Sequence, residues 1–253
     1  MRLKLSANLG FLWKELPLPE RFGRAARACF DAVEMHDDWQ EFAPGFLAAS
    51  LADLKMPVES INTAMAGNAG IAALAGREAE ALAAIDHALV TAGAIGARAV
   101  HVTAGKAERN ASNTATYIAN LRHACACARS LGISVLIEPI ADTNVPGYFL
   151  STPELADAIM GEVSDPSLFM LLDCYHVATL GLDISETFSS RAARIGHVQI
   201  AGFPGRGEPS TGKLDYAKLL PALVAGGYRG AFGAEYKPAD TVESGLGWMQ
   251  AFR

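Results

Sequence analysis

"SVLIEPIADTNVPGYFLSTPELADAIMGEVSDPSLFMLLD", residues 134–173, contains one full turn of the pattern that decides the fold. It begins with a short β-rich run at 134–138 and ends with another at 168–173. Between them lies a helically spaced segment near 152–162, with Ser151 or Thr152 placed to cap its start and Pro153 at its first position. A strand, a crossover helix and a second strand predict a parallel pair, because the helix carries the chain back to the same end of the sheet.

The same alternation extends in both directions. Strands are expected at 3–8, 31–35, 58–62, 98–103, 195–200 and 230–235, and helices near 20–29, 44–54, 76–95, 113–131, 183–193, 215–226 and 242–251. Eight such units close into a barrel of about 250 residues. A doubly wound open sheet would carry a glycine fingerprint after its first strand, and "SANLGFLWKELP" (6–17) has no GxGxxG. No low-complexity linker divides the chain. The expected fold class is therefore α/β, a (β/α)8 TIM barrel forming a single domain over residues 1–253.

Of the 253 residues, 51% are hydrophobic and 19% charged, which supports a large core. A net charge of −6 supplies no overall basic field for a phosphate backbone, so no nucleic-acid partner is expected. No apolar run approaches the roughly 20 residues that span a bilayer, and no signal-like stretch opens the chain, so no membrane partner and a cytoplasmic location are expected. The four cysteines form neither a disulfide framework nor paired CxxC knuckles. Cys125 and Cys127, two apart on a helix, point in different directions and read as core or helix-surface thiols.

In a barrel of this kind the active site lies where the strands end. Strand 5 ends in Glu138, strand 6 in Asp173, strand 7 in Gln199 and strand 8 in Glu235. Adjacent strands about 4.8 Å apart can aim four such oxygen-bearing side chains at one point. Three carboxylates so close repel one another unless a cation neutralises them. Oxygen ligands from Glu138, Asp173, Gln199 and Glu235 suit a divalent metal, Mg2+ or Mn2+, with positions left for water or substrate. Taken singly, each carboxylate could equally pair with a lysine or cap the next helix.

His176, one turn after Asp173 in "DCYH", is read as a substrate-binding residue in the loop after strand 6. His101, near the end of strand 4, is either a second substrate-binding group or a packed core imidazole. His36, His87 and His123 have no such context. In "HVQIAGFPGRGEP" (197–209) the glycines let a loop pass close to a ligand, Arg206 matches a substrate carboxylate, and Glu208 holds that arginine or binds a hydroxyl. The alternative is an ordinary solvated Arg–Glu loop. Lys237 is a weaker anion-binding candidate.

The chain resembles the hydroxypyruvate isomerase family of xylose-isomerase-like barrels. The resemblance rests on "FDAVE" (30–34), "NTA" (62–64), "GRE" (76–78), "HVTAG" (101–105), "IEP" (137–139), "DCYH" (173–176), "HVQIAGFPGRGEP", "GYRG" (227–230), "EYKP" (235–238) and "GLGW" (245–248). It implies metal binding by Glu138, Asp173, Gln199 and Glu235, with Glu138 and Glu235 as the catalytic acid/base pair. It also implies interconversion of a small hydroxy-oxo acid, hydroxypyruvate to tartronate semialdehyde, through a metal-stabilised cis-enediolate. A 2-oxo-tetronate or a small ketose is the nearest alternative substrate; a metal-dependent nuclease and a silent carbohydrate-binding barrel are alternatives of other classes. The stretch "MAGNAGIAALAGRE" (65–78) and short loops at 36–45 and 105–112 depart from the family pattern and bear on substrate identity. Such barrels often self-associate, so a homo-oligomer is an expectation, with Trp13, Trp39 and Phe42 as interface, pocket or core residues.

Overall fold

Eight parallel strands close into a barrel in strict sequence order, β1 to β8, with β1 paired to both β2 and β8. The structure is a computed structural model that describes residues 2–253. The strands are β1 (Leu5–Asn8), β2 (Ala32–Met35), β3 (Val58–Asn62), β4 (Ala99–His101), β5 (Ser134–Ile137), β6 (Leu168–Asp173), β7 (Ile195–Ile200) and β8 (Phe232–Ala234). The helices are α1 (Leu18–Arg27), α2 (Pro44–Asp53), α3 (Glu78–Ile95), α4 (Ala111–Leu131), α5 (Pro153–Val163), α6 (Cys174–Thr179), α7 (Ile184–Ser189), α8 (Tyr216–Ala225) and α9 (Val242–Gly245). The (β/α)8 expectation holds strand for strand. The differences lie at the edges: β4 is only three residues long, and 3-10 turns over Ala192–Arg194 and Leu246–Phe252 finish segments expected to be continuous helix.

Caps account for several boundaries. Thr152 accepts from the Leu155 amide at 3.2 Å and starts α5, with Pro153 supplying the fixed φ of the first turn. Gly132 ends α4 in the left-handed conformation at φ 67°, where a side chain would be strained. The main apolar core lies between barrel and helices and includes Trp13 and Trp39, which are therefore core residues rather than interface. Phe42 is only partly buried and stacks on the exposed Phe46. Cys125 is buried and Cys127 half-buried, both free.

Ala99, Leu136 and Leu171 form a separate small apolar cluster, with Phe169 packed against it. Side chains two apart on a strand share a face. Two residues further along β4, β5 and β6 stand His101, Glu138 and Asp173. The same step leads from Ser6 to Asn8, Ala32 to Glu34, His197 to Gln199 and Gly233 to Glu235. Below its carboxyl ends the barrel interior is thus apolar on the β4–β6 side and polar at Ser6 and His197, whereas at those ends it is polar throughout.

Candidate active site

A cavity of about 200 Å³ opens at that end, lined by residues that include His101, Glu138, His176, Gln199, Arg206 and Glu235. Seven of the eight residues assigned from sequence thus meet at one place once Asp173 is added behind them, 2% exposed. Glu208 is the eighth and lies elsewhere. Its carboxylate accepts from the Ala239 amide at 2.8 Å and abuts Gly245, so it ties the loop after β7 to the chain beyond β8. The expected hydroxyl or arginine contact is corrected accordingly: a loop glutamate cannot be told from a strut by sequence alone. Lys237 is exposed and outside the cavity lining.

Arg206 organises the mouth. Its Nη2 donates to Asp173 Oδ2 at 2.8 Å and to Glu235 Oε1 at 2.5 Å, its Nη1 bonds His176 Nε2 at 3.1 Å, and its Nε reaches the Glu235 carbonyl at 3.3 Å. Four of the five guanidinium N–H groups are thereby engaged by protein, leaving one for a ligand. The cation lies 4.8 Å from the Phe11 ring centre and 5.0 Å from that of Tyr175, so it is fixed by aromatic faces as well as by charge. This is a built position, not a solvated loop arginine.

The glycines around it serve a different purpose from the one expected. A Cβ on Gly202 would lie 2.6 Å from the Glu208 carbonyl oxygen, and one on Gly212 would lie 2.1 Å from that of Phe203. They let the loop fold tightly on itself, which in turn presents Arg206 inward.

His176 also sits differently from its expectation. It belongs to the short helix α6 rather than to a loop, with Asp173 as the cap: Asp173 Oδ1 accepts from the Tyr175 amide at 2.8 Å. Oδ2 is left for Arg206. His36, which had no context in the sequence, lines the cavity against the edge of Phe11. Asn8 and Asn62, at the ends of β1 and β3, were also missed. Asn8 donates to Glu235 Oε2 at 2.8 Å, and Asn62 Oδ1 lies 3.2 Å from His101 Nδ1. An amide at each of these strand ends was the available signal.

The most informative omission is Glu34. It is fully buried and carries a carboxylate across the barrel to β7, where Gln199 Nε2 donates to Glu34 Oε2 at 2.7 Å. Ser6 donates to Oε1, and His197 Nε2 lies 3.0 Å from that oxygen, close enough for an ion pair although poorly aligned for a hydrogen bond. Gly233 makes the crossing possible, since a Cβ there would fall 2.2 Å from Glu34 Oε1. Burial opposes the Glu34 charge, yet His197 and the two hydrogen-bonding neighbours, Ser6 and Gln199, outweigh it and hold the pKa below the ordinary carboxylate value. A lone acid in "DAVEM" was the sequence signal.

This contact fixes the Gln199 amide. With Nε2 committed to Glu34, Oε1 is buried and has no partner. Glu138 Oε1 is likewise buried and unpartnered, 3.8 Å from His176 Nε2. Burial, then the Glu235 and Asp173 charges, push the Glu138 pKa well above its usual value. Glu235 is raised to about 8, chiefly by burial and partly offset by Arg206. Burial holds His101 at about 3 and His176 at about 4, so both imidazoles are neutral and can bind through lone pairs or N–H groups. Ligand atoms of Glu138, Asp173 and His176 lie within 4.8 Å of one another. Unpartnered oxygens, crowded carboxylates and neutral imidazoles form a donor set that fits a hard divalent cation.

A closed (β/α)8 barrel with acids, amides and imidazoles converging at the strand ends defines a small-molecule enzyme site. Residues 22–252 match the family model described as xylose isomerase-like TIM barrel, and the chain belongs to that family. It is 38% identical to 2-oxo-tetronate isomerase of Cupriavidus necator, over 98% of each chain. It is 34% identical to hydroxypyruvate isomerase of Escherichia coli K12, over 99% of this chain and all of the relative. The crystal structure of an AP endonuclease, family 2, from Brucella melitensis superposes with a TM-score of 0.94 at 34% identity, covering 99% of each chain. The isomerase reading agrees with the names of the two curated relatives. No helix among the described residues is long and apolar enough to cross a membrane.

Proposed function

We propose that the chain isomerises a small hydroxy-oxo acid, hydroxypyruvate to tartronate semialdehyde, with Glu138 and Glu235 as the proton-transfer pair. The observation that carries this is two buried glutamates, immediately after β5 and β8, facing one small cavity beside a buried arginine. At about 200 Å³ the cavity is below the roughly 300–1,000 Å³ usual for drug-sized ligands, which suits a substrate of a few carbons.

Glu138, Asp173, Gln199 and Glu235 would hold the Mg2+ or Mn2+. When bound, such an ion supplies Lewis-acid stabilisation of negative charge developing on the substrate oxygens. The protein's own groups do the rest. The free N–H of Arg206 binds the substrate carboxylate, and neutral His101 and His176 bind its oxygens. One glutamate removes a proton from C3 and the other delivers a proton to C2, while the hydroxyl proton moves from O3 to O2. Both glutamates are raised above the ordinary carboxylate value, chiefly by burial, which favours a group that must take up a proton as well as give one.

A 2-oxo-tetronate is the second reading, favoured by the 38%-identical relative that bears that activity in its name. It presents the same carboxylate and hydroxy-carbonyl unit with one more carbon. Cleavage of a nucleic-acid backbone fits poorly with an acidic mouth on a chain of net charge −6. Parallel assays on hydroxypyruvate, 2-oxo-tetronates and neutral ketoses in deuterated water test the proposal. Deuterium should enter an acid substrate with wild type and not with Glu138→Gln or Glu235→Gln. Full exchange in either variant contradicts the assignment.

A further inference from the structure

On the outside of the barrel, on helices rather than at the strand ends, three metal-ligating side chains meet across the seam between α3 and α4. His123 and Cys127 stand four apart on α4, hence on one face, and Asp86 faces them from α3. His123 Nε2 lies 2.6 Å from Asp86 Oδ1, Cys127 Sγ lies 3.7 Å from the same nitrogen, and all three ligand atoms fall within 4.8 Å of one another.

We infer that Asp86, His123 and Cys127 form a second metal site, selective for Zn2+ and separate from the cation site at the barrel mouth. The geometry supports zinc in particular. Tetrahedral coordination with Zn–S about 2.3 Å and Zn–N about 2.0–2.1 Å places sulfur and nitrogen about 3.6 Å apart. The observed 3.7 Å already matches. A zinc-bound carboxylate oxygen would stand about 3.4 Å from the imidazole nitrogen, so Asp86 must withdraw by somewhat less than about 1 Å. At 53% side-chain exposure it is free to do so.

The chemistry also separates the two sites. One thiolate, one imidazole and one carboxylate form a borderline-soft set that favours Zn2+ over Mg2+, whereas the mouth offers mainly oxygen. Thiolate and carboxylate together carry two negative charges, which one Zn2+ neutralises, and the fourth position remains for water. The flanking arginines of α4 are engaged elsewhere. On α4, Arg122 donates to the Glu162 carbonyl at 2.6 Å and Arg129 pairs with Asp165, both away from the seam. The ion would pin α3 to α4 on the outer wall, without touching the isomerase cavity.

The test uses full-length protein, stripped of metal and then held in excess Mg2+ to fill the mouth, titrated with Co2+ as a spectroscopic probe for zinc. Wild type should develop a near-ultraviolet thiolate-to-cobalt charge-transfer band, bleached by one equivalent of Zn2+. Cys127→Ser should abolish the band, Cys29→Ser should keep it, and His123→Ala should weaken Zn2+ binding at least tenfold, all with isomerase activity unchanged. Zn2+ should raise the thermal midpoint of wild type and not of Cys127→Ser. Absence of the band in wild type, or its persistence in Cys127→Ser, overturns the assignment and leaves an ordinary His123–Asp86 ion pair.

Discussion

The inside of the barrel holds two polar layers built by opposite rules. In the lower one, Glu34, His197, Ser6 and Tyr228 match each other: one carboxylate faces one imidazole whose pKa is raised, although burial alone would lower it, and hydroxyls fill the remaining positions. In the upper one, Glu138, Asp173 and Glu235 face a single guanidinium, so three potential negative charges meet one positive charge. Ionised, that layer is two positive charges short, the charge of one divalent cation. Matched buried groups hold a fold in one arrangement, whereas unmatched ones keep binding capacity in reserve at the expense of stability. Glu34 joins the layers by fixing the amide of Gln199 from below.

This contrast can be broken from either side. Removing a charge from the upper layer should reduce function and spare the fold. Glu138→Gln or Glu235→Gln is expected to lower kcat by at least about 10²–10⁴-fold, the usual scale of acid/base catalysis, while the thermal midpoint of metal-stripped protein stays level or rises. Removing the charge below should reverse the pattern. Glu34→Gln leaves His197 without its counter-ion and should cost about 3 kcal/mol in urea unfolding. Arg206→Lys sharpens the picture of the mouth: an ammonium cannot span Asp173, Glu235 and His176, so kcat/KM for the carboxylate substrate should fall by about tenfold or more, roughly 1.4 kcal/mol. The smallest effect belongs to Glu208→Ala, which should lose about 1 kcal/mol of stability through the Ala239 amide and leave KM unchanged. A large rise in KM there would restore Glu208 to substrate binding.

The two layers also differed in how plainly the sequence announced them. The upper layer was readable because Glu138, Asp173, Gln199 and Glu235 each close an apolar strand, one βα unit apart, and a parallel barrel gathers such ends by construction. The lower layer was not. Glu34 is one acid within "DAVEM", and its importance depends on Gly233, two hundred residues away, leaving room for it. Arg206 was found, but its engagement by three protein partners was not, because loop geometry follows from close backbone approaches such as those at Gly202 and Gly212. Helix α6 escaped notice for a related reason: six residues carry too little periodicity, and its start depends on the side chain of Asp173. Strand-level features repeat along the chain and can be counted, whereas pairings across the barrel cannot.

Mn2+ binding to metal-stripped protein, followed by paramagnetic resonance or calorimetry in wild type, Glu138→Gln and Gln199→Leu, probes the charge shortfall at the mouth directly. One tight Mn2+ per wild-type chain, held at least about tenfold more weakly by both variants, is the expected result. Equal binding by all three proteins, or none by the wild type, would contradict a cation seated among these strand-end side chains.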